Sequence, residues 1–256
     1  LHVAGLVSDG GVHSHIRHFG ALLQIVPTDV PVRLHCFTDG RDTSPTGGAG
    51  YLSQITDMCD RSPNWDIASV TGRYWAMDRD HRWERVARAF EAMTGIQTSH
   101  PLESETPTGS TSKSSMDAIE SYYEHPSEES RKGDEFVVPT QIVDAENVPV
   151  GLVKDGDALI FFNYRGDRPR ELSRAFVLDD DTWADVLRGG FDRGKHFVDL
   201  FYVTMTNYET DLPVSAVAFD KPEPMKNILG DVVSDAGLKQ FRCAETEKFP
   251  HVTFFF

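Results

Sequence analysis

The sequence has few cysteines, no long apolar run and no signal-like start, and each shortage excludes a class of protein. Its three cysteines, Cys36, Cys59 and Cys243, lie far apart without a CxxC pair. Neither a disulfide framework nor a zinc site is therefore indicated, and a reducing cytosol is the simplest compartment. No stretch approaches the roughly 20 apolar residues of a membrane-spanning helix. A basic segment followed by an apolar one, as in a secretory signal, is also missing from the start.

Positive charge is scarce as well, since the 256 residues carry a formal net charge of -15. An acidic surface repels a phosphate backbone over most of its area, so no nucleic-acid partner is expected. Several arginines nevertheless stand beside glycines, where a guanidinium fork can bind a small phosphate. The composition therefore favours a local anion site on an acidic globular protein.

Both ends of the sequence are apolar. It begins at Leu1 without a methionine and enters a predicted strand over residues 3–7, and it stops within another predicted strand over 251–256. Natural termini are usually polar and frayed. We therefore expect the chain to be a fragment of a longer protein.

Strands and helices alternate through the first half of the chain. Apolar runs predict strands over residues 3–7, 32–37 and 65–70, and helical spacing predicts helices over 15–26, 50–59 and 82–93. This rhythm predicts an α/β fold, a mostly parallel sheet with helices on both faces. Such sheets bind ligands at the carboxyl ends of their strands.

The second half is less regular. A Ser/Thr-rich stretch over residues 103–115 predicts a surface loop, and 116–123 a short helix. Residues 136–143 and 148–153 are compatible with a hairpin. Strands over 158–163 and 197–204 complete the predicted sheet, and a helix over 225–236 precedes the last strand.

Four of the predicted strands end in polar clusters, over residues 8–15, 39–42, 71–80 and 163–168. Taken alone, each has a plain structural explanation, such as a turn, a weak histidine pair, a salt bridge or a solvated charge run. Their shared position at strand ends favours a site instead. Five arginines would converge there: Arg41, Arg73, Arg79, Arg165 and Arg168. Clustered guanidinium groups repel one another, so they need carboxylates or a polyanionic ligand.

The clusters also belong to longer strings. SDGGVHSH (8–15), TDGRDTSP (38–45), TGRYWAMDRDHRWERV (71–86), FFNYRGDR (161–168) and AETEKFPHVTFFF (244–256) resemble, in this order, the motifs of the cofactor-independent phosphoglycerate mutases. The resemblance spans essentially the whole chain.

This resemblance implies a two-domain enzyme of glycolysis and gluconeogenesis. One domain is similar to alkaline phosphatase, is built from both ends of the chain, and carries two manganese ions and a serine that is transiently phosphorylated. The other is inserted in the middle and binds the phosphoglycerate. Residues 1–212 would be most of the inserted domain, and 217–256 a short segment of the alkaline-phosphatase-like α/β domain.

The resemblance also assigns roles to single positions. The residues that match its substrate contacts are His13, Arg41, Asp42, Arg73, Arg79, Arg165, Arg168 and Lys248. The arginine forks would hold the carboxylate and phosphate of 3-phosphoglycerate and 2-phosphoglycerate. Asp42 would be the base near O2 and O3, kept ionised by Arg41, and Lys248 would offset charge on the phosphoryl group.

Further implications are a cytoplasmic monomer and no requirement for 2,3-bisphosphoglycerate. The sequence departs from the family pattern at Gly166, where proline is more common, and at the loop 103–115, which looks like a local elaboration. The serine motif and the Asp and His metal-ligand motifs are not found in it. We therefore expect no metal on this chain and no activity from it alone.

Two other interpretations were open. The chain could be a stand-alone module that binds phosphate or carboxylate, or part of another alkaline-phosphatase-like enzyme such as a phosphopentomutase. The apolar ends argue against the first, and the strings GRYWAMDRD and ETEKFPHV argue against the second.

Overall fold

A computed structural model describes residues 1–98, 110–194, 196–219, 225–245, 248 and 252. The chain divides into two units, Leu1–Asp220 and Lys221–Phe256. The first contains the sheet and the predicted strand ends. The second is described here only by its helix, Leu229–Asp235, and by single residues.

Within the described residues, eight strands form one sheet. In chain order they are β1 His2–Leu6, β2 Val32–Thr38, β3 Trp65–Gly72, β4 Ser110–Ser112, β5 Thr140–Ile142, β6 Ala158–Phe161, β7 Phe201–Thr204 and β8 Ala216–Val217. Their spatial order is β4-β5-β3-β2-β1-β6-β7-β8. β5 runs antiparallel to β3, whereas the other pairings of these strands are parallel. The predicted mostly parallel α/β fold is confirmed.

Helices cover both faces of this sheet. They are α1 Ile16–Ile25, α2 Gly48–Cys59, α3 Arg73–Ala76, α4 Trp83–Thr94, α5 Ser115–Glu124, α6 Arg170–Val177 and α7 Asp180–Ala184, with α8 Leu229–Asp235 in the second unit. Alternate side chains of β1 point to opposite faces. Val3 joins a core with α1, α2 and α5, and Leu6 joins another with α3, α4 and α6. No helix among the described residues is long and apolar enough to cross a membrane.

Several sequence expectations for the second half need correction. The hairpin expected from residues 136–143 and 148–153 forms only in part: β5 is the one strand described there, and an antiparallel bridge joins Val143 to Pro149. β5 instead pairs with β3 and β4 through backbone hydrogen bonds. The stretch 103–115 is not all loop, because 110–112 form β4 and Ser115 begins α5. Its residues 103–109 lie outside the described part of the chain.

Other bounds were too generous, or elements were missed. The strand expected over 197–204 begins at Phe201, and the helix expected over 225–236 begins at Leu229. The short helices α3 and α7, the helix α6 and the two-residue strand β8 were not predicted. The predicted last strand, 251–256, falls almost entirely outside the described residues.

β1 and β6 stop pairing in a way that shapes the edge of the sheet. Their regular ladder ends at Ala4 and Phe161, and the backbone N–H of Leu6 donates to the side-chain Oδ1 of Asn163 at 3.0 Å. A Cβ on Gly5 would lie 2.8 Å from that same oxygen. Gly5 is therefore required for the Asn163 amide to take the place of a backbone carbonyl.

A buried chain of polar groups runs across the sheet from β3 through β2 and β1 to the residue before β6. Ser69 Oγ lies 2.8 Å from His35 Nδ1, His35 Nε2 lies 3.0 Å from His2 Nδ1, and His2 Nε2 lies 3.2 Å from Asp157 Oδ2. A register shift after Leu34 brings Ser69 opposite His35. If each group donates toward Asp157, two neutral imidazoles satisfy every contact.

Burial makes this chain depend on neutral histidines. Desolvation lowers the pKa of His2 to about 4, although the Asp157 carboxylate opposes the shift, and burial and His2 lower the pKa of His35 well below its ordinary value. The unfolded chain therefore binds these protons first as pH falls. The stability supplied by neutral His2 is present above about pH 6.5 and is lost toward pH 4.

We predict that His2→Gln flattens this pH dependence. A glutamine can still hydrogen-bond Asp157 but cannot titrate, so between pH 6.5 and 4 the free energy of unfolding should fall less steeply, by up to about 1.4 kcal/mol per pH unit. Urea unfolding followed by circular dichroism at several pH values measures the slope. His125→Gln, at an exposed histidine, is the control. Equal slopes for wild type and His2→Gln would contradict the role given to His2.

Candidate functional site

Arg73 is the central cation of the predicted cluster. It begins α3 directly after β3, and its side chain is only 3% exposed. Nη1 donates to Asp39 Oδ1 at 2.7 Å and to Asp42 Oδ2 at 2.6 Å, while Nη2 lies 3.1 Å from His13 Nε2. One guanidinium group therefore joins the ends of three adjacent strands.

Asp39 is the buried anion opposite Arg73. It is 1% exposed and accepts hydrogen bonds from the Ser8 hydroxyl at 2.7 Å and from the backbone N–H groups of Arg41 and Asp42 at 3.2 and 3.0 Å. Burial alone would raise the pKa of Asp39. The hydrogen bonds from Asp42 and Ser8, together with Arg73, outweigh burial and hold the pKa below its ordinary value. Asp39 is therefore ionised at neutral pH.

His13 is held as a neutral ring. Burial and the Arg73 cation lower its pKa to about 4. Because Arg73 is an obligate donor, His13 Nε2 must accept and Nδ1 must carry the proton. Nδ1 lies 3.9 Å from Asp167 Oδ1 and has no hydrogen-bond partner among the described residues. An N–H donor is therefore left for a ligand at this position.

Asp167 organises the arginines that follow β6. Its Oδ1 lies 2.8 Å from Arg165 Nε, and its Oδ2 accepts from Arg79 at 3.0 Å and from Arg165 Nη2 at 2.9 Å. Arg168 donates to the carbonyl of Met77 at 2.9 Å. Burial, Arg73 and Arg79 lower the pKa of Arg168 to about 10, so this cation is still charged at neutral pH. The strand-end loops are thus locked to each other.

Arg41 and Asp42 differ from what was expected. Arg41 is 54% exposed and contacts Glu135 at 3.3 Å, whereas the guanidinium on Asp42 belongs to Arg73. The glycine between Asp39 and Arg41 explains the turn, since Gly40 has φ 67° and a Cβ would lie 2.8 Å from the backbone nitrogen of Glu135. Arg73, and not Arg41, is therefore the side chain that pairs with Asp42.

The structure therefore brings seven of the eight predicted residues to one edge of the sheet: His13, Arg41, Asp42, Arg73, Arg79, Arg165 and Arg168. Lys248 lies in the second unit, where it is exposed and its N–H donates to the Glu245 carbonyl at 2.9 Å. Its role stays a prediction. His15 has only a local role, because its Nδ1 accepts from Arg17 and caps α1.

Two residues of the cluster were not singled out from the sequence. Asp39 and Asp167 are the carboxylates on which the arginines depend. Asp39 directly follows β2, Asp167 lies in the loop after β6, and both stand close to arginines in the sequence, which is the signal that could have found them. The charge run at Asp78–Asp80 is also not a solvated one, because Asp78 is 4% exposed and Arg79 reaches Asp167.

The site lies at a reversal in the winding of the sheet. From β1 the chain proceeds to β2 and β3 on one side, and β6 lies on the other. Ligands of open parallel sheets bind at such a point. Guanidinium groups outnumber the carboxylates of Asp39, Asp42 and Asp167, which leaves capacity for an anion. The fold and the cluster define an α/β domain with arginine-rich loops at a reversal of its sheet.

Sequence comparison gives this domain its family. Residues 1–210 match the family described as BPG-independent PGAM N-terminus, iPGM_N, and the chain belongs to that family. It is 51% identical over 260 residues to the 2,3-bisphosphoglycerate-independent phosphoglycerate mutase of Rhodopirellula baltica, with 100% of this chain and 46% of that protein covered. Against the enzyme of the same name from Moorella thermoacetica the identity is 44% over 261 residues, covering 100% of this chain and 45% of that protein.

Solved structures agree with the family. The chain is similar to a crystal structure of Leishmania mexicana phosphoglycerate mutase determined at low cobalt concentration, with 28% identity and a TM-score of 0.78 over 99% of this chain and 44% of that one. The chain thus spans less than half the length of the relatives it matches.

The manganese ions implied by the resemblance do not fit the residues seen here. In the part of the chain that the structure describes, no group of three or more His, Cys, Asp or Glu side chains could hold a metal ion. Asp39 and Asp42 are instead engaged by Arg73. The carboxylates of this cluster are therefore paired with an arginine.

We predict that Arg73→Met destabilises the fold by about 3 to 5 kcal/mol, because it leaves the carboxylates of Asp39 and Asp42 buried without their cation. Arg41→Met, at the exposed end of the same cluster, should cost less than about 1 kcal/mol. Urea unfolding at neutral pH compares the two. Similar losses of unfolding free energy in both variants would show that the buried charge of Arg73 does not stabilise the cluster.

Proposed function

We propose that this chain is the substrate-binding part of a 2,3-bisphosphoglycerate-independent phosphoglycerate mutase, which interconverts 3-phosphoglycerate and 2-phosphoglycerate. The observation that carries the proposal is the meeting of seven family-matched residues at the ends of β1, β2, β3 and β6. Their guanidinium groups exceed their carboxylates, as binding a ligand with a carboxylate and a phosphate requires. Membership of the family, over residues 1–210, supports it.

The arrangement suggests how the labour is divided among these side chains. Arg165 and Arg79 are partly exposed beside Asp167, and their forks can turn to a phosphate or carboxylate. His13 Nδ1–H offers a neutral donor to a glycerate oxygen. Asp42, 22% exposed and fixed by Arg73 at 2.6 Å, is the group we assign as the base that takes and returns the hydroxyl proton.

The remaining chemistry belongs to residues that the described part of this chain does not supply. By resemblance, a serine accepts the phosphoryl group and returns it to the other hydroxyl of the same glycerate, with manganese bound nearby. Lys248 would offset charge on the group in transfer. A cytoplasmic monomer, the limits 1–212 and 217–256 for the two parts, and independence from 2,3-bisphosphoglycerate all belong to this proposal.

We predict that the chain binds 3-phosphoglycerate and that Arg165→Ala weakens the binding roughly 10- to 100-fold. Removing one charge-assisted fork costs about 1.5 to 3 kcal/mol. Isothermal titration calorimetry measures the loss. Arg73→Ala should abolish binding, although its effect includes the disrupted cluster, so Arg165→Ala is the decisive variant.

Arg61→Ala, at an exposed arginine after α2, is the matched control and should bind like the wild type. Inorganic phosphate should bind more weakly than 3-phosphoglycerate, because it engages only one end of the site. Equal affinity for the two would indicate a general anion module. No heat from the wild-type chain would contradict binding by this chain alone.

We also predict that the chain, supplied with manganese and 3-phosphoglycerate, forms no 2-phosphoglycerate. The described residues offer no metal site, and the family's nucleophile motif is not in the sequence. Phosphorus NMR distinguishes the two phosphoglycerates, and the full-length relative from Rhodopirellula baltica serves as the positive control. Turnover by the chain would refute the assignment of catalysis to residues outside it.

A further inference from the structure

Two buried carboxyl groups lie directly behind the arginines of the site. Asp78 immediately precedes Arg79, and Glu171 lies in the first turn of α6, three residues after Arg168. Asp78 is 4% exposed and Glu171 is 1% exposed. Two acidic side chains are therefore buried where the site is built, although none of the roles assigned so far uses them.

Asp78 is the member of this pair that is well supplied with hydrogen-bond donors. Its Oδ2 accepts the backbone N–H groups of Asp80 and Arg82, both at 2.9 Å, and its Oδ1 lies 3.4 Å from Arg85 Nη1. Donors therefore approach both of its oxygens. A carboxylate in this position closes the turn over residues 78–82.

Glu171 has a different environment. Its Oε1 accepts the backbone N–H of His81 at 3.0 Å, but its buried Oε2 has no hydrogen-bond partner when both groups are taken as carboxylates. A proton on Oε2 removes the problem, because a protonated carboxyl group can donate to the Asp78 carboxylate.

The surrounding charges agree with this assignment. Burial and the Asp78 carboxylate raise the pKa of Glu171 to about 8, while the His81 backbone and the Arg174 cation oppose the rise. Burial, Arg174 and Arg188 lower the pKa of His81, so its ring does not supply a cation at neutral pH. The charged and titratable groups around the pair are Asp80, His81, Arg82, Arg85, Arg174 and Arg188.

The pair joins two pieces of the site. The turn over residues 78–82 carries Arg79, which reaches Asp167 at 3.0 Å. The residue before the turn, Met77, accepts a hydrogen bond from Arg168 at 2.9 Å. Glu171 belongs to the helix that follows Arg168. A hydrogen bond between Glu171 and Asp78 therefore fixes the segment of Arg79 against the element that holds Arg168.

We propose that Glu171 is a positioning residue of the anion site: its protonated carboxyl group donates to the Asp78 carboxylate and so holds Arg79 and Arg168 in register. The ligand named in its test rests on the proposed function. When Glu171 loses its proton, two adjacent buried carboxylates repel each other and the segment 77–82 loosens.

The test is the affinity for 3-phosphoglycerate as a function of pH, measured by calorimetry. If the form with ionised Glu171 does not bind, wild-type affinity should fall about tenfold between pH 7 and pH 9. The phosphate of the ligand is fully ionised over this range, because its second pKa is near 6. Glu171→Gln keeps a neutral donor in place of the proton and should change less than about twofold over the same range.

Two further variants separate positioning from a general effect. Glu171→Ala removes the donor and should bind weakly at every pH. Glu120→Gln makes the same charge change at an exposed position of α5 and should keep the wild-type pH profile. A pH profile of Glu171→Gln that matches the wild type would overturn the proposal.

A ligand-free measurement keeps the two proposals distinguishable. Infrared spectra at pH 7 should contain the C=O band of a protonated carboxyl group, and this band should disappear in Glu171→Gln. After correction for the intrinsic rise of amide exchange with pH, the protection of the 78–82 turn should fall above pH 8 in the wild type only. If the wild type bound no 3-phosphoglycerate, the proposed function would fail while these spectra still decided the pair. No such band, or exchange unchanged by Glu171→Gln, would refute the role of Glu171.

Discussion

The fold and the site depend on one buried guanidinium group. Arg73 is nearly inaccessible, yet it contacts groups that follow β1 and β2 from its own place at the end of β3. A buried charge persists only when its partners offset the lost hydration. Asp39, held by Ser8 and backbone donors, supplies that offset, so the strand ends are fixed before any ligand arrives. Exposure then increases outward, from Arg73 through Arg79 and Arg165 to Arg41.

Neutral acids and neutral bases accompany these charges. Desolvation lowers the pKa of His13 and of His2, so both rings are uncharged at neutral pH. Desolvation raises the pKa of Glu171, so this carboxyl group is also mostly uncharged. Each sits beside an aspartate that it can hydrogen-bond or approach. Arginines and aspartates thus carry the charge in this part of the structure. The groups that burial keeps neutral supply hydrogen-bond donors.

The sequence was sufficient for the parts that depend on local pattern. Apolar runs predicted β1, β2, β3 and β6, and the polar clusters after them predicted where seven candidate residues meet. It was insufficient where long-range pairing decides. β5 pairs with β3 and β4, which lie far from it in the sequence, and the expected hairpin with residues 148–153 is reduced to the bridge between Val143 and Pro149. Likewise, nothing local shows that Asp42 pairs with Arg73, 31 positions later, when Arg41 is its neighbour.

The Asn163 amide that replaces a carbonyl beside β1 also determines where the loops of the site begin. A side chain ends the ladder between β1 and β6. The position at which these two strands separate is therefore fixed within the sheet. The loops bearing His13 and Arg165 then start from separate strands, and the His13 carbonyl joins them by accepting from the Tyr164 N–H at 2.7 Å and from the Arg165 N–H at 3.4 Å. The separation of these two loops is thus set by the strands. The sequences of the loops determine only which side chains lie between them.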